Sequence, residues 1–231
     1  MAINVDLVYK TVLLILNQQQ RGYITPDEFN KVGNQVQQGI FEKYMSDLNQ
    51  QLRIPENDSE YANRVKNLDE KLERFKLIAA PTFAVDHFTT GSLPNFYRLG
   101  TVIYNDLIEA QMVERNEWYK IKKAPLVAPT KAQPVFLYEQ NKLFVFPTTI
   151  TTDVQVSYLK KPVLINWAYT VGVLGQFSYD AINSVNFELH PSEEVDVVTG
   201  ILLYSGVIIQ DPTIIQIASQ KIQQEDINEK S

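Results

Sequence analysis

The chain has 231 residues, enough to bury a substantial core in one large domain or two small ones. Apolar residues make up 45% and charged residues 21%, which excludes global disorder, and a net charge of −6 argues against a protein that holds nucleic acid by neutralising phosphates. The lack of cysteine excludes disulfides, thiolate metal sites and cysteine nucleophiles together.

Met1-Ala2-Ile3-Asn4-Val5-Asp6 has no basic n-region and no apolar stretch of the signal-peptide kind behind it, so no signal peptide is expected. Apolar stretches are broken by polar residues well before the ~20 needed to span a bilayer, so no membrane span is expected and the chain reads as soluble and made in a cytoplasm.

Val5, Val8, Val12, Ile15 and Leu16 recur at helical spacing, with Leu13 and Leu14 widening the stripe and Asn4 as N-cap. Gly22 would end this helix in the left-handed conformation. Thr25-Pro26-Asp27-Glu28 is a capping box with Pro at N1. Phe29, Val32, Val36, Ile40, Phe41 and Tyr44 follow it at helical spacing. A helix from there to about residue 51 would be ~35–40 Å long. Gly33 and Gly39 inside it each cost about 1 kcal/mol against Ala, which predicts close approach of another helix, or a kink. A third helix is expected from about 59 to 73, with Tyr61, Val65, Leu68 and Leu72 on one face and a solvated charged face opposite.

From Phe75 the period changes to that of strands. Residues 75–85 read as a strand pair interrupted at Pro81, and 97–104 as a strand; 106–120 fit a helix or a hairpin. Pro125, Pro129 and Pro134 mark an extended connector. The runs 134–138 and 142–146 flank Glu139-Gln140-Asn141 as a hairpin. Residues 154–159 alternate as a half-buried strand that Pro162 ends. Residues 186–189 are extended. His190 or Ser192 caps the helix that follows, through Val195, Val198, Ile201, Leu202 and Ser205 to Gly206. Asp211-Pro212 opens another through Ile214, Ile215, Ile217, Ala218 and Ile222, with 223–231 polar and frayed. Helices, strands, then helices again predict an α+β fold: an N-terminal helical bundle (1–75), a central antiparallel β region (76–185) and C-terminal helices (186–231), integrated as one domain.

Chemistry is sparse. His87 and His190 do not form a helical metal pair and read as capping or loop residues. Asp27-Glu28-Phe29-Asn30-Lys31 lacks the order of a calcium loop. Gly172-Val173-Leu174-Gly175 lacks the strand–turn–helix setting of a phosphate loop, and Ser205-Gly206 is no nucleophile elbow. Glu193-Glu194 is explained by the helix dipole. No catalytic residue, metal ligand or cofactor is predicted, and the chain is not expected to be an enzyme. The cation runs Lys120-Ile121-Lys122-Lys123 and Lys160-Lys161 read first as solvated faces, then as subunit contacts, and last as DNA contacts. Aromatic residues crowd the middle of the chain, among them Phe83, Tyr97, Trp118, Tyr119, Trp167, Tyr169, Phe177 and Tyr179; a surplus beyond the core suits subunit interfaces better than stacking on single strands.

Several segments, in order, resemble virion structural proteins of crAss-like phages. They are 8–17 (Val8-Tyr9-Lys10-Thr11), 20–30 (Gln20-Arg21-Gly22-Tyr23), Leu93-Pro94-Asn95-Phe96-Tyr97-Arg98-Leu99, Leu126-Val127-Ala128-Pro129-Thr130 with Gln133-Pro134-Val135-Phe136, 154–162 and 187–194. Tyr158-Leu159-Lys160-Lys161-Pro162, an extended segment and a proline-started helix also resemble head-to-tail adaptor proteins of short-tailed phages. The resemblance implies a virion neck protein at the head–tail interface, synthesised in the bacterial host cytoplasm. It would form a homo-oligomeric ring of twelve subunits on the portal, and DNA would pass through its lumen without specific binding. It also implies that 207–231 meets the portal, through Ile208, Ile214, Ile215, Ile217 and Ile222, and that the β region faces the next neck ring or tail protein. Residues 166–183 read as an insertion. The competing expectations are another virion structural role (a different neck ring, tail or head-completion protein) or a DNA-binding accessory protein.

Overall fold

The computed structural model of the chain describes residues 2–17, 23–51, 59–209 and 212–230. It is α+β, as the order of periodicities predicts, and divides into two compact units, 1–74 with 162–231 and 75–161.

The first unit is helical. Helix α1 (Val5–Asn17) starts at Asn4, whose Oδ1 accepts from the N–H groups of Asp6 and Leu7 at 2.8 and 3.3 Å. Val5, Val8, Tyr9, Val12 and Leu16 are buried, whereas Leu14 and Ile15, expected in the stripe, are exposed. Tyr9 takes the core position instead. Helix α2 (Pro26–Gln51) begins with the predicted capping box. Glu28 accepts from the Thr25 N–H at 2.9 Å and from its hydroxyl at 2.7 Å, while the Glu28 N–H donates to Thr25 Oγ1 at 3.4 Å. Helix α3 spans Ser59–Glu73 with Leu72 buried; the side chains of Tyr61 and Val65, and all of Gly22, lie outside the described residues.

Residues 163–167 run extended along α2, and three amide side chains on one face of α2 hold them. Asn30 accepts from the Trp167 N–H at 2.7 Å and donates to its carbonyl at 3.3 Å. Asn34 accepts from the Ile165 N–H at 2.7 Å and donates to its carbonyl at 3.2 Å. Buried Gln37 donates to the Val163 carbonyl at 2.7 Å and accepts from the Glu188 N–H at 3.0 Å. The spacing has a simple cause. Four helical residues rise about 6 Å, close to the ~6.6 Å of two extended residues, so every second strand residue meets an amide.

The two glycines of α2 differ. A Cβ on Gly33 would come 2.5 Å from Ile165 Cδ1, so its close neighbour is this extended segment and not a helix; Gly39 has nothing within 4 Å. Close helix approach occurs instead at Gly200, where a Cβ would come 2.9 Å from Val36 Cγ1, between α2 and helix α5 (Glu194–Ile209).

A 3-10 turn (Pro191–Glu193) precedes α5, and His190 caps it by accepting from the Ser192 N–H. The helix buries Val197, Ile201 and Ser205, leaves Val195 exposed, and continues past Gly206 to Ile209. Helix α6 (Pro212–Lys230) packs on α5 and stays helical where a frayed end is expected.

The second unit is one eight-stranded sheet. In chain order its strands are β1 (Lys76–Ala79), β2 (Thr82–Ala84), β3 (His87–Thr89), β4 (Phe96–Tyr104), β5 (Ile108–Met112), β6 (Val135–Glu139), β7 (Lys142–Phe146) and β8 (Val154–Lys160). Their order in the sheet is β1-β8-β4-β5-β6-β7-β3-β2. All pairings are antiparallel except β5–β6. The segment 75–85 does break at Pro81, but β1 and β2 pair with β8 and β3 rather than with each other. They occupy the two ends of the sheet order with only Ala80 and Pro81 between them, so the sheet must curl. Two register shifts in β4 supply curvature, the second around Gly100, where a Cβ would meet the Ser157 carbonyl at 2.8 Å. The concave side holds a core including Phe88, Val102, Phe136, Leu143, Val154, Val156 and Tyr158.

The stretch 106–120 contains both predicted alternatives in succession: β5 pairs with β4 as a hairpin, and helix α4 (Arg115–Lys123) follows. The proline-marked connector is built of turns, 124–127 and 130–133, rather than extended chain. Between β6 and β7 the turn has two residues, Gln140 and Asn141, with φ of 48° and 62°, the geometry that matches strand twist.

Candidate interaction surfaces

Several titratable groups have structural partners. His87 Nδ1 lies 2.7 Å from Asp86 Oδ1, and that hydrogen bond holds the Asp86 carboxyl below its usual value. Glu193 is 4% exposed and pairs with Lys71 Nζ at 2.8 Å. Burial pushes its carboxyl up, but the Lys71 ammonium and the Ser192 hydroxyl outweigh this and hold it below the usual range. Burial raises the Tyr9 hydroxyl, helped by the neighbouring Tyr23 hydroxyl. Among the described residues no group of three or more His, Asp and Glu could hold a metal ion, and no helix is long and apolar enough to cross a membrane.

What stands out is apolar surface held on anchored projections. The first is a hairpin in the helical unit, β9 (Tyr169–Val171) paired with β10 (Phe177–Tyr179). Its base is rooted by rings. Phe29 meets Tyr9 at 4.8 Å between centroids, Tyr9 meets Trp167 at 4.5 Å, and Trp167 stacks on Tyr169 and Tyr179 at 6.0 and 5.5 Å. The Trp167 indole N–H donates to Asp6 at 3.1 Å. Beyond that base, Val171 and Val173 are exposed and Leu174 is 93% exposed. The 166–183 stretch is thus a projecting arm with Trp167, Tyr169 and Tyr179 stacked at its root, Phe177 partly exposed beside Val171, and an aliphatic tip.

The second projection is α4 with the turns after it. Helix α4 has no buried residue. Trp118 stacks on Phe146 at 3.7 Å, and Arg115 forms a two-pronged ion pair with Glu139. The Glu139 carboxylate, with help from the Tyr119 hydroxyl, raises the Arg115 guanidinium, and Arg115 in turn lowers the Glu139 carboxyl. Leu126 (99%) and Val127 (61%) are exposed beyond.

The residues expected to meet a portal fall as follows. Ile208 lies in α5 and Ile214 in α6, with side chains outside the described residues. Ile215 and Ile222 are half-buried on the face that also carries buried Ala218, while Ile217 is 62% exposed on another face. Helix α6 thus separates two that are partly buried from one that is solvent-facing.

No protein-family model matches the chain, and no curated protein is significantly similar to it. The surfaces stand on their own chemistry. Aromatic crowding in the sequence does not separate root from surface: Trp167 and Trp118 anchor the projections, Tyr119, Tyr169 and Phe177 are partly exposed, and the exposed tips are Leu and Val. Isolated aliphatic residues in turns, Leu126-Val127 and Val173-Leu174, were the usable signal.

Proposed function

We propose that the protein is a structural, non-enzymatic subunit of a tailed-phage head-to-tail connector. In this reading it forms an adaptor ring, of twelve copies, stacked on the portal and continuing the DNA channel towards the tail. Two supports carry it. The ordered resemblance from Val8 to Glu194 is to virion structural and adaptor proteins. The observation that carries most weight is the pair of anchored projections with aliphatic tips at Val173-Leu174 and Leu126-Val127. A monomer gains nothing by rooting such side chains in an aromatic stack and then leaving them in water. An assembly subunit does, because preorganised apolar contacts lose little entropy on docking.

In the ring, the acidic balance of the chain suits a lumen through which DNA slides, since few counterions are released on contact. The isolated chain is monomeric or weakly associated, with the portal as template. The deciding experiment is electron microscopy and native mass measurement of the protein mixed with its candidate portal. Rings docked on the portal support the adaptor role. A compact monomer that ignores the portal overturns it and moves the protein to another virion position, which locating it in purified particles would identify. The lysines of α4 favour one second reading, a DNA-binding accessory protein, which strong salt-dependent binding to duplex DNA would support.

A further inference from the structure

The charge of this chain is not shared evenly between its two units. Residues 1–74 and 162–231 carry 11 Lys and Arg against 20 Asp and Glu, a net −9; residues 75–161 carry 10 against 7, a net +3. The positive excess has one location. Residues 114–133 hold five cations and two carboxylates, also +3, so the rest of the β unit is balanced. Lys120, Lys122, Lys123 and Lys131 there are exposed and pair with no carboxylate among the described residues.

Leu126 and Val127 sit in the same segment, fully and largely exposed, with Tyr119 exposed on the preceding helix. A nine-residue helix without a buried residue is too short to hold itself in water. The Trp118–Phe146 stack and the Arg115–Glu139 pair hold it from one side, and two tight turns order the chain behind it. A preorganised surface of cations around aliphatic side chains therefore faces solvent. Phosphates would satisfy its lysines but offer nothing to Leu126 and Val127. An acidic protein surface with apolar patches satisfies both, and every copy of this chain carries one, with Leu14, Val173 and Leu174 exposed in the unit of charge −9.

We infer that the basic, apolar segment 114–133 of one copy docks on the acidic helical unit of a second copy. Because donor and acceptor are different surfaces, the contact is heterologous: each copy gives one and receives one, and repetition closes a ring when the rotation permits. The inference rests on the ring reading above and specifies its subunit contact. Charge complementarity sets the register and the encounter rate, and the apolar side chains set the lifetime.

The test replaces Leu126, in the full chain, with the photocrosslinking residue p-benzoylphenylalanine and mixes this protein with isotope-labelled wild type at high concentration and low salt. The expected result is heavy–light crosslinks to peptides within 1–74 or 162–231. The exposed-site variant Lys120→Glu/Lys122→Glu/Lys123→Glu, with an unchanged unfolding curve, should lower their yield by about tenfold or more, and added salt should do the same. Crosslinks into 75–161 of the second copy, or a yield indifferent to the three substitutions, overturn the contact. So does an absence of heavy–light crosslinks when the same three lysines prove necessary for binding duplex DNA, which assigns the segment to nucleic acid. Imaging the same samples separates the two levels: rings with crosslinks elsewhere sink this contact alone, whereas copies that never associate, with or without portal, sink the ring reading itself.

Discussion

Two buried polar arrangements make the sharpest predictions for single residues. Asn34 is both acceptor and donor for Ile165, and its neighbours Asn30 and Gln37 do the same for Trp167 and for Val163 with Glu188. Asn34→Ala leaves a partly buried N–H and carbonyl without partners, so it should destabilise the protein by about 1–3 kcal/mol in urea unfolding. Asn34→Asp keeps the acceptor and loses the donor, and should fall between. The other arrangement is Glu193 with Lys71. The folded carboxyl lies below its unfolded value, so this pair contributes stability at neutral pH and loses it as pH falls through the folded value. Lys71→Met strands the carboxylate and should cost about 3 kcal/mol at pH 7. That gap between wild type and variant should shrink in unfolding curves taken at successively lower pH. A gap that is constant with pH would show that packing, not charge, carries the effect.

At the level of elements, helix starts were the most legible feature of the chain. The Thr25–Glu28 box, the Asn4 cap and the His190 cap are local chemistry that tertiary context cannot easily override. Helix faces were less so. Leu14 and Ile15 fit the α1 stripe by spacing, yet Tyr9 is buried and they are not, because the neighbours of α1 decide which part of a wide apolar arc is covered. The glycines of α2 show the same limit. Spacing alone treats Gly33 and Gly39 alike, but only Gly33 is crowded, and the tight helix contact sits at Gly200. Gly39→Ala should therefore stabilise the protein by up to about 1 kcal/mol through helix propensity. Gly200→Ala should destabilise it by about 1–3 kcal/mol despite the same propensity gain, because Val36 is a stiff β-branched residue in a helix and cannot retreat. Thermal unfolding of the two variants side by side checks the opposite signs.

For the whole molecule, the β unit is one uninterrupted stretch whose ends lie together: the Lys160 N–H donates to the Phe75 carbonyl at 2.8 Å, and β1 pairs with β8. Among the described residues, the cluster around Phe88, Val156 and Tyr158 is drawn from this unit alone. A fragment 75–161 should accordingly fold alone, with dispersed amide resonances and a cooperative thermal transition. A fragment that remains a random coil by the same spectra would mean that the sheet needs the helical unit as a template. The exposed tips add little to a monomer's stability, and Val173→Ser with Leu174→Ser should leave the unfolding midpoint nearly unchanged while altering association.

The sequence by itself determined the fold class, the places where helices begin, the β6–β7 hairpin and the alternation of β8, since all of these depend on contacts a few residues apart. It also carried the charge of each segment, but not the knowledge that one β unit holds the positive excess. Tertiary structure decided that β1 and β2 end opposite sides of a curled sheet, that amides of α2 hold residues 163–167, and that aromatic residues root two projections tipped with aliphatic ones. Those are pairings between residues as far apart as Tyr9 and Trp167, and nothing in local spacing distinguishes a side chain that will meet a distant partner from one that will be left to meet another copy.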